Sequence, residues 1–191
     1  MGAKDKENVH ASVHTALAVS AVLGFALTIG GVLFSRPLLI WMNTPAEILN
    51  ESVIYLKIYS GGMFFNVVYN MTAGIMNAAG NSKRSLYYLA VASFVNIVLD
   101  LLLIGVFKMG VAGASIATNI SQVVSCISSM LFLMKTPAEY KVTLKKIKIH
   151  KKVALRIIKI GLPAGIQNMV ISLSNMLVQS SVNAFGATAM M

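Results

Sequence analysis

The chain has 191 residues, 57% of them apolar and only 12% charged, with a formal net charge of +10. Soluble domains carry roughly 25% charged residues, so this composition excludes an ordinary water-soluble globule and points to membrane-spanning helices. A nucleic-acid role is excluded too, because the basic residues gather in the connections between apolar runs, and no Walker, dinucleotide, nucleophile-elbow or zinc motif supports an enzyme.

The first ten residues, MGAKDKENVH, are polar, and the apolar run behind them has full span length. It reads as a membrane helix, not the short core of a cleavable signal. About 20 apolar residues cross a bilayer, and five stretches meet that length: residues 13–34, 52–80, 85–107, 111–134 and about 157–182. Residues 35–51 read as an external loop, because Pro37 and Pro45 break helices and Trp41 suits the interfacial belt. Gly80 and Asn81 carry helix-stop chemistry for a tight turn, and 108–110 form a short turn on the other side. Residues 135–152 hold seven lysines and read as a solvated connector. Pro163 falls in the first turn of the fifth span, where it is tolerated.

The charge distribution orients the chain. With the N-terminus placed inside, the inside segments hold Lys4, Lys6, Lys83, Arg84, Lys135, Lys141, Lys145, Lys146, Lys148, Lys151, Lys152, Arg156 and Lys159. The outside segments hold Arg36, Lys57 and Lys108. That asymmetry is the positive-inside pattern and makes the N-terminus cytoplasmic. The lysine-rich connector and the absence of a signal suit a bacterial inner membrane. Three blocks follow: four helices of one lobe (1–134), a basic cytoplasmic linker (135–156), and the first helix of a second lobe (157–191). Four spans, a linker and one more span suggest a piece of a longer two-lobed protein.

Asp100 stands inside an apolar run, NIVLDLLLIGV. A carboxylate at that depth costs about 2.5–3.5 kcal/mol on insertion scales, so it marks an ion or proton site by default. Asn96 lies one turn earlier on the same helix face. The short turn at 108–110 makes the flanking spans antiparallel neighbours, which brings Thr118 to the depth of Asp100. Carboxylate, amide oxygen and hydroxyl are hard ligands that suit a proton or Na⁺, not zinc or copper.

Other polar residues form stripes. Ser115, Thr118, Gln122, Ser125 and Ser129 recur at helical spacing. Tyr55, Tyr59, Asn66, Asn70 and Asn77 do so on the second span, and Asn168, Ser172, Asn175 and Gln179 on the fifth. Such stripes either glue membrane helices together or line a wet cavity. Tyr55, Asn70, Asn77 and Gln122 are the cavity candidates. His10 and His14 are four apart but have no nearby carboxylate, so they read as interfacial histidines. Cys126 reads as a small packing residue.

These motifs resemble the multidrug and toxic compound extrusion (MATE) family. Asn96-Ile97-Val98-Leu99-Asp100 is similar to the N-x-x-L-D signature of its fifth helix, and the run Gly110 to Thr118, followed by Ser121-Gln122, to the start of its sixth. Gly161-Leu162-Pro163-Ala164 and Val182-Asn183-Ala184-Phe185-Gly186 resemble its seventh helix, and Gly2-Ala3-Lys4-Asp5 the loop before its third. The resemblance implies an all-α, polytopic bundle of about five transmembrane helices, cut from a two-lobe, twelve-helix transporter. It implies antiport coupled to H⁺ or Na⁺, exporting drugs or organic cations, with no cofactor. Asn96, Asp100 and Thr118 would belong to the cation site. The family's site also uses an acidic residue on a first helix that this stretch lacks. A lipid-linked oligosaccharide flippase and a non-transporting truncated membrane protein are the alternatives.

Overall fold

A computed structural model describes residues 3–144 and 147–184. Gly2, Lys145, Lys146 and Phe185-Gly186 lie outside the described residues, as do the side chains of Lys4, Lys6, Gln179, Val182 and Asn183. Six α-helices follow in order: α1 Ala3–Trp41, α2 Ala46–Gly61, α3 Met63–Ala78, α4 Ser82–Asp100, α5 Gly110–Lys135 and α6 Lys151–Ala184, with a π-helical segment, Leu101–Val106, between α4 and α5. No strand occurs among the described residues. Four stretches are long and apolar enough to cross a membrane: Asn8–Trp41, Ser82–Val106, Gly110–Lys135 and Lys151–Val178. The chain is an all-α, multi-pass membrane protein.

Three elements differ from the sequence reading. First, α1 runs through Pro37 and ends at Trp41. Proline is tolerated inside membrane helices because neighbouring groups satisfy the freed backbone. The stop comes where a Schellman closure is available. Thr44 N–H donates to Leu39 O (3.1 Å) and Asn43 N–H to Ile40 O (3.0 Å). Asn43 takes the left-handed conformation (φ 54°) that this motif requires, and Pro45 follows. The expected loop 35–51 therefore shrinks to the few residues between α1 and α2. Second, the stretch 52–80 is not one helix. It breaks at Gly62, between α2 and α3. Third, α6 begins at Lys151, so Pro163 lies within the helix and not in its first turn.

Residues 3–150 form one compact unit and α6 a second. In the first, α1 packs on α2 and α3, and α5 packs on α2, α3 and α4. One apolar cluster joins Val13, Leu17, Met76, Leu133 and Val142; another joins Val68, Tyr69 and Cys126. Small residues let the helices approach. On α5 the buried set includes Gly113, Ser115, Ala117, Ser121, Ser125 and Ser129, the composition expected where dispersion rather than water exclusion drives association.

The helix break explains itself locally. At the end of α2, Gly62 N–H turns back to Tyr59 O (3.1 Å), which leaves the Ile58 carbonyl without its usual α-helical donor. The Asn119 side-chain amide on α5 donates to that carbonyl. A Cβ on Gly62 would overlap the Asn119 side chain, so glycine is what permits this approach. The turn after α3 closes as the sequence predicts: Asn81 N–H donates to Met76 O (2.8 Å) and Gly80 N–H to Asn77 O (3.0 Å), with Gly80 at φ 80°.

The basic connector is also less solvated than its lysines suggest. Val142 is 2% exposed, and its N–H donates to Leu133 O (2.9 Å). His14 Nε2 accepts from Thr143 N–H (3.1 Å), Thr15 Oγ1 accepts from His150 N–H (3.2 Å), and Asn81 Nδ2 donates to Tyr140 Oη (2.7 Å). These contacts tie the segment to α1 through His14 and Thr15, to α5 through Leu133, and to the turn before α4 through Asn81.

Candidate cation site

Asp100 is the last residue of α4, and the π-helical segment starts immediately after it. Within that segment hydrogen bonds skip one residue further than in an α-helix. Phe107 N–H donates to Leu102 O five residues back (2.9 Å), and past the segment's end Met109 N–H reaches Leu103 O six residues back (2.9 Å). Such insertions re-aim side chains and concentrate at functional positions. The turn that follows needs left-handed backbone at Lys108 (φ 52°) and Gly110 (φ 55°).

The α4–α5 register sets the site's level. A Cβ placed on Gly113 would lie 3.2 Å from Leu103 Cβ, so these two positions meet. In an antiparallel pair, each step back along α4 matches a step forward along α5. Asp100 then falls about two residues, roughly 3 Å, from the level of Thr118, and Asn96 the same from that of Gln122.

Three of these four residues share an unusual property. Among the described residues, Asn96 Nδ2, Asp100 Oδ1 and Gln122 Oε1 are buried atoms without a hydrogen-bond partner. Native proteins satisfy the great majority of buried polar atoms, and leaving one unmet costs about 1–3 kcal/mol. Two are acceptor oxygens and the third belongs to an amide whose other atom is an oxygen, so each of these side chains can offer a hard ligand to a small cation. The Thr118 hydroxyl donates to Ala114 O (3.0 Å), which leaves its lone pairs as acceptors.

The α5 stripe read from the sequence splits in two. Ser125 and Ser129 are buried against neighbouring helices, and Ser129 Oγ bonds Thr72 Oγ1 of α3 (2.7 Å). These serines are packing glue, whereas Thr118 and Gln122 are only half-buried. Of the cavity candidates, Gln122 is half-buried on α5, whereas Tyr55 on α2 and Asn70 and Asn77 on α3 are exposed. Tyr55 stacks on Tyr59 (centroids 5.9 Å apart, planes at 9°). Asn70 Nδ2 donates to Asn66 Oδ1 (2.9 Å) and Asn66 O (2.8 Å). The Tyr55, Asn70 and Asn77 side chains are exposed, unlike the buried atoms of Asn96, Asp100 and Gln122. Asn119 escaped the sequence reading. The signal for it was the Gly61-Gly62 pair, a breaker inside an apolar run that demands an outside donor for a freed carbonyl.

The MatE family model matches residues 1–102, more than half of the chain. Among curated relatives, the probable multidrug resistance protein YoeA of Bacillus subtilis is 32% identical, across 98% of this chain and 42% of that protein. The multidrug export protein MepA of Staphylococcus aureus is 24% identical, across 97% and 41%. The chain thus spans about two fifths of the length of these relatives. An outward-facing multidrug resistance MATE family transporter of the MOP superfamily superposes with a TM-score of 0.85 at 26% identity, covering 93% of this chain and 40% of that one. An inward-facing form superposes with a TM-score of 0.75 at 30% identity, covering 85% and 37%. On this evidence the chain belongs to the MatE family, a family of membrane transporters and not of enzymes.

Proposed function

We propose that this chain is part of a secondary active transporter that exports drugs or organic cations by antiport with H⁺ or Na⁺. The observation that carries the reading is the set of buried, unpartnered polar atoms on Asn96, Asp100 and Gln122. Entry of a cation neutralises the Asp100 carboxylate and supplies the missing partners. The free energy gained favours whichever α4–α5 packing holds the oxygens closest, and a ligand shifts a conformational equilibrium only by such a difference. Tyr55, Asn70 and Asn77 then serve as a loose aromatic and amide surface for the exported compound. Recognition would be by stacking and adaptable hydrogen bonds, and the second lobe would complete the path.

The positive-inside distribution supports a cytoplasmic N-terminus, and the family's named relatives support a bacterial plasma membrane. The division into four helices of one lobe (1–134), a basic linker (135–156) and the opening helix of a second lobe (157–191) belongs to the same reading. Asp100→Asn in the full-length protein is expected to abolish ethidium efflux from cells while leaving membrane insertion intact. Efflux at the wild-type rate with that substitution would overturn the assignment.

A further inference from the structure

A groove of about 650 Å³ opens where α4 begins and α5 ends, roofed by the start of the basic connector. Its lining combines Arg84 and Lys135 with Asn81, Tyr88, Tyr140 and Phe132. The Arg84 guanidinium lies over the Phe132 ring at 4.5 Å. A guanidinium carries its donors in a planar fork that matches phosphate. Asn81 Nδ2 already donates to Tyr140 Oη, which fixes two polar walls. Glu139, the one acidic residue of the connector, is not among the lining side chains.

The groove sits at the ends of two membrane-crossing helices, the level of lipid headgroups. Below it, Leu131, Ile127 and Ile120 of α5 are 46%, 52% and 40% exposed. Their spacing of four and seven makes one apolar track leading down from the groove. A free anion has no use for that track; an acyl chain does.

We propose that this groove binds one anionic phospholipid, its phosphate on Arg84 and Lys135 and an acyl chain along Leu131 and Ile127. The site is independent of the coupling-cation reading, since none of its residues belongs to the Asp100 group. Each basic residue near an anionic membrane surface contributes about 1 kcal/mol, a factor of about five in affinity.

The test is native mass spectrometry of the full-length protein carried in detergent with equimolar phosphatidylglycerol and phosphatidylcholine. The wild-type protein should retain one phosphatidylglycerol in preference. The preference should fall about fivefold in Lys135→Gln and about thirtyfold in Arg84→Gln with Lys135→Gln. Lys108→Gln, a cation at the opposite helix ends, should leave it unchanged. Equal retention in the wild-type and double-variant proteins would overturn the proposal. So would displacement of the lipid by millimolar inorganic phosphate, which would make this a free-anion site.

Discussion

Asn119 and Gly62 offer a sharp energetic test of how α5 is seated. The Asn119 amide satisfies the Ile58 carbonyl that the helix break leaves open, and it occupies the space where a Gly62 side chain would stand. Asn119→Ala removes the donor. An unmet buried carbonyl costs about 1–3 kcal/mol, while bonds between membrane helices average about 0.6 and reach about 1.7 kcal/mol, because the unfolded helices find other partners in the bilayer. A loss of about 1–2 kcal/mol is expected. Gly62→Ala in the wild-type background forces a methyl into the amide. Overpacking of this kind costs about 1–3 kcal/mol, and here it also breaks the Asn119 bond. In the Asn119→Ala background the same methyl enters vacated space, and φ −90° with ψ −3° is open to alanine. It should then be nearly neutral. The two substitutions are therefore expected to be non-additive by about 1–2 kcal/mol. Reversible unfolding of the full-length protein in mixed dodecyl maltoside and dodecyl sulfate micelles measures each corner of the cycle. Equal cost of Gly62→Ala in both backgrounds would refute the geometry.

Other outcomes follow from the same packing. Ser129→Ala should lose about 1 kcal/mol by leaving Thr72 with one bond fewer, and Thr72→Val added to it should cost little more; the same micelle unfolding checks this. His14→Ala removes the acceptor for Thr143 N–H, so trypsin should cut at Lys141 and Lys148 several times faster, read by mass spectrometry of the fragments. Cys126 is buried and free; maleimide should label it only after unfolding, and rapid labelling of the native protein would contradict its place in the α3–α5 contact.

Much of this architecture was legible because membrane insertion imposes simple rules on sequence. Long apolar runs became α1, α4, α5 and α6, and Asp100 stood out because so few other residues in those runs are ionisable. The turn at Gly80-Asn81 was readable from its αL chemistry. The misread places share one cause: backbone groups whose partners come from distant residues. Pro37 looks like a stop in sequence, yet α1 continues to the Schellman turn at Asn43. Gly61-Gly62 sits inside one apolar run, and only Asn119, far along the chain, makes the break affordable in hydrogen bonds. The connector looked solvated because its lysines outnumber its anchors, while Val142, Tyr140 and Thr143 dock through His14, Asn81 and Leu133. Within the candidate site, spacing alone put Asn96 one turn from Asp100, and the Gly113–Leu103 contact sets Thr118 about two residues from the level it was expected to share. Recognising Ser125 and Ser129 as packing residues required their burial and the Ser129–Thr72 bond, which the structure supplies.

The central proposal is that Asn96, Asp100, Thr118 and Gln122 hold the coupling cation, and gradient-driven dye export tests it most directly. The full-length protein would be reconstituted in proteoliposomes, and ethidium transport followed while H⁺ and Na⁺ gradients are imposed separately. One gradient should drive transport in the wild-type protein and neither in Asp100→Asn, with ethidium affinity at equilibrium changed by less than about threefold, under 1 kcal/mol. Gradient-driven transport by Asp100→Asn at the wild-type rate would contradict the account.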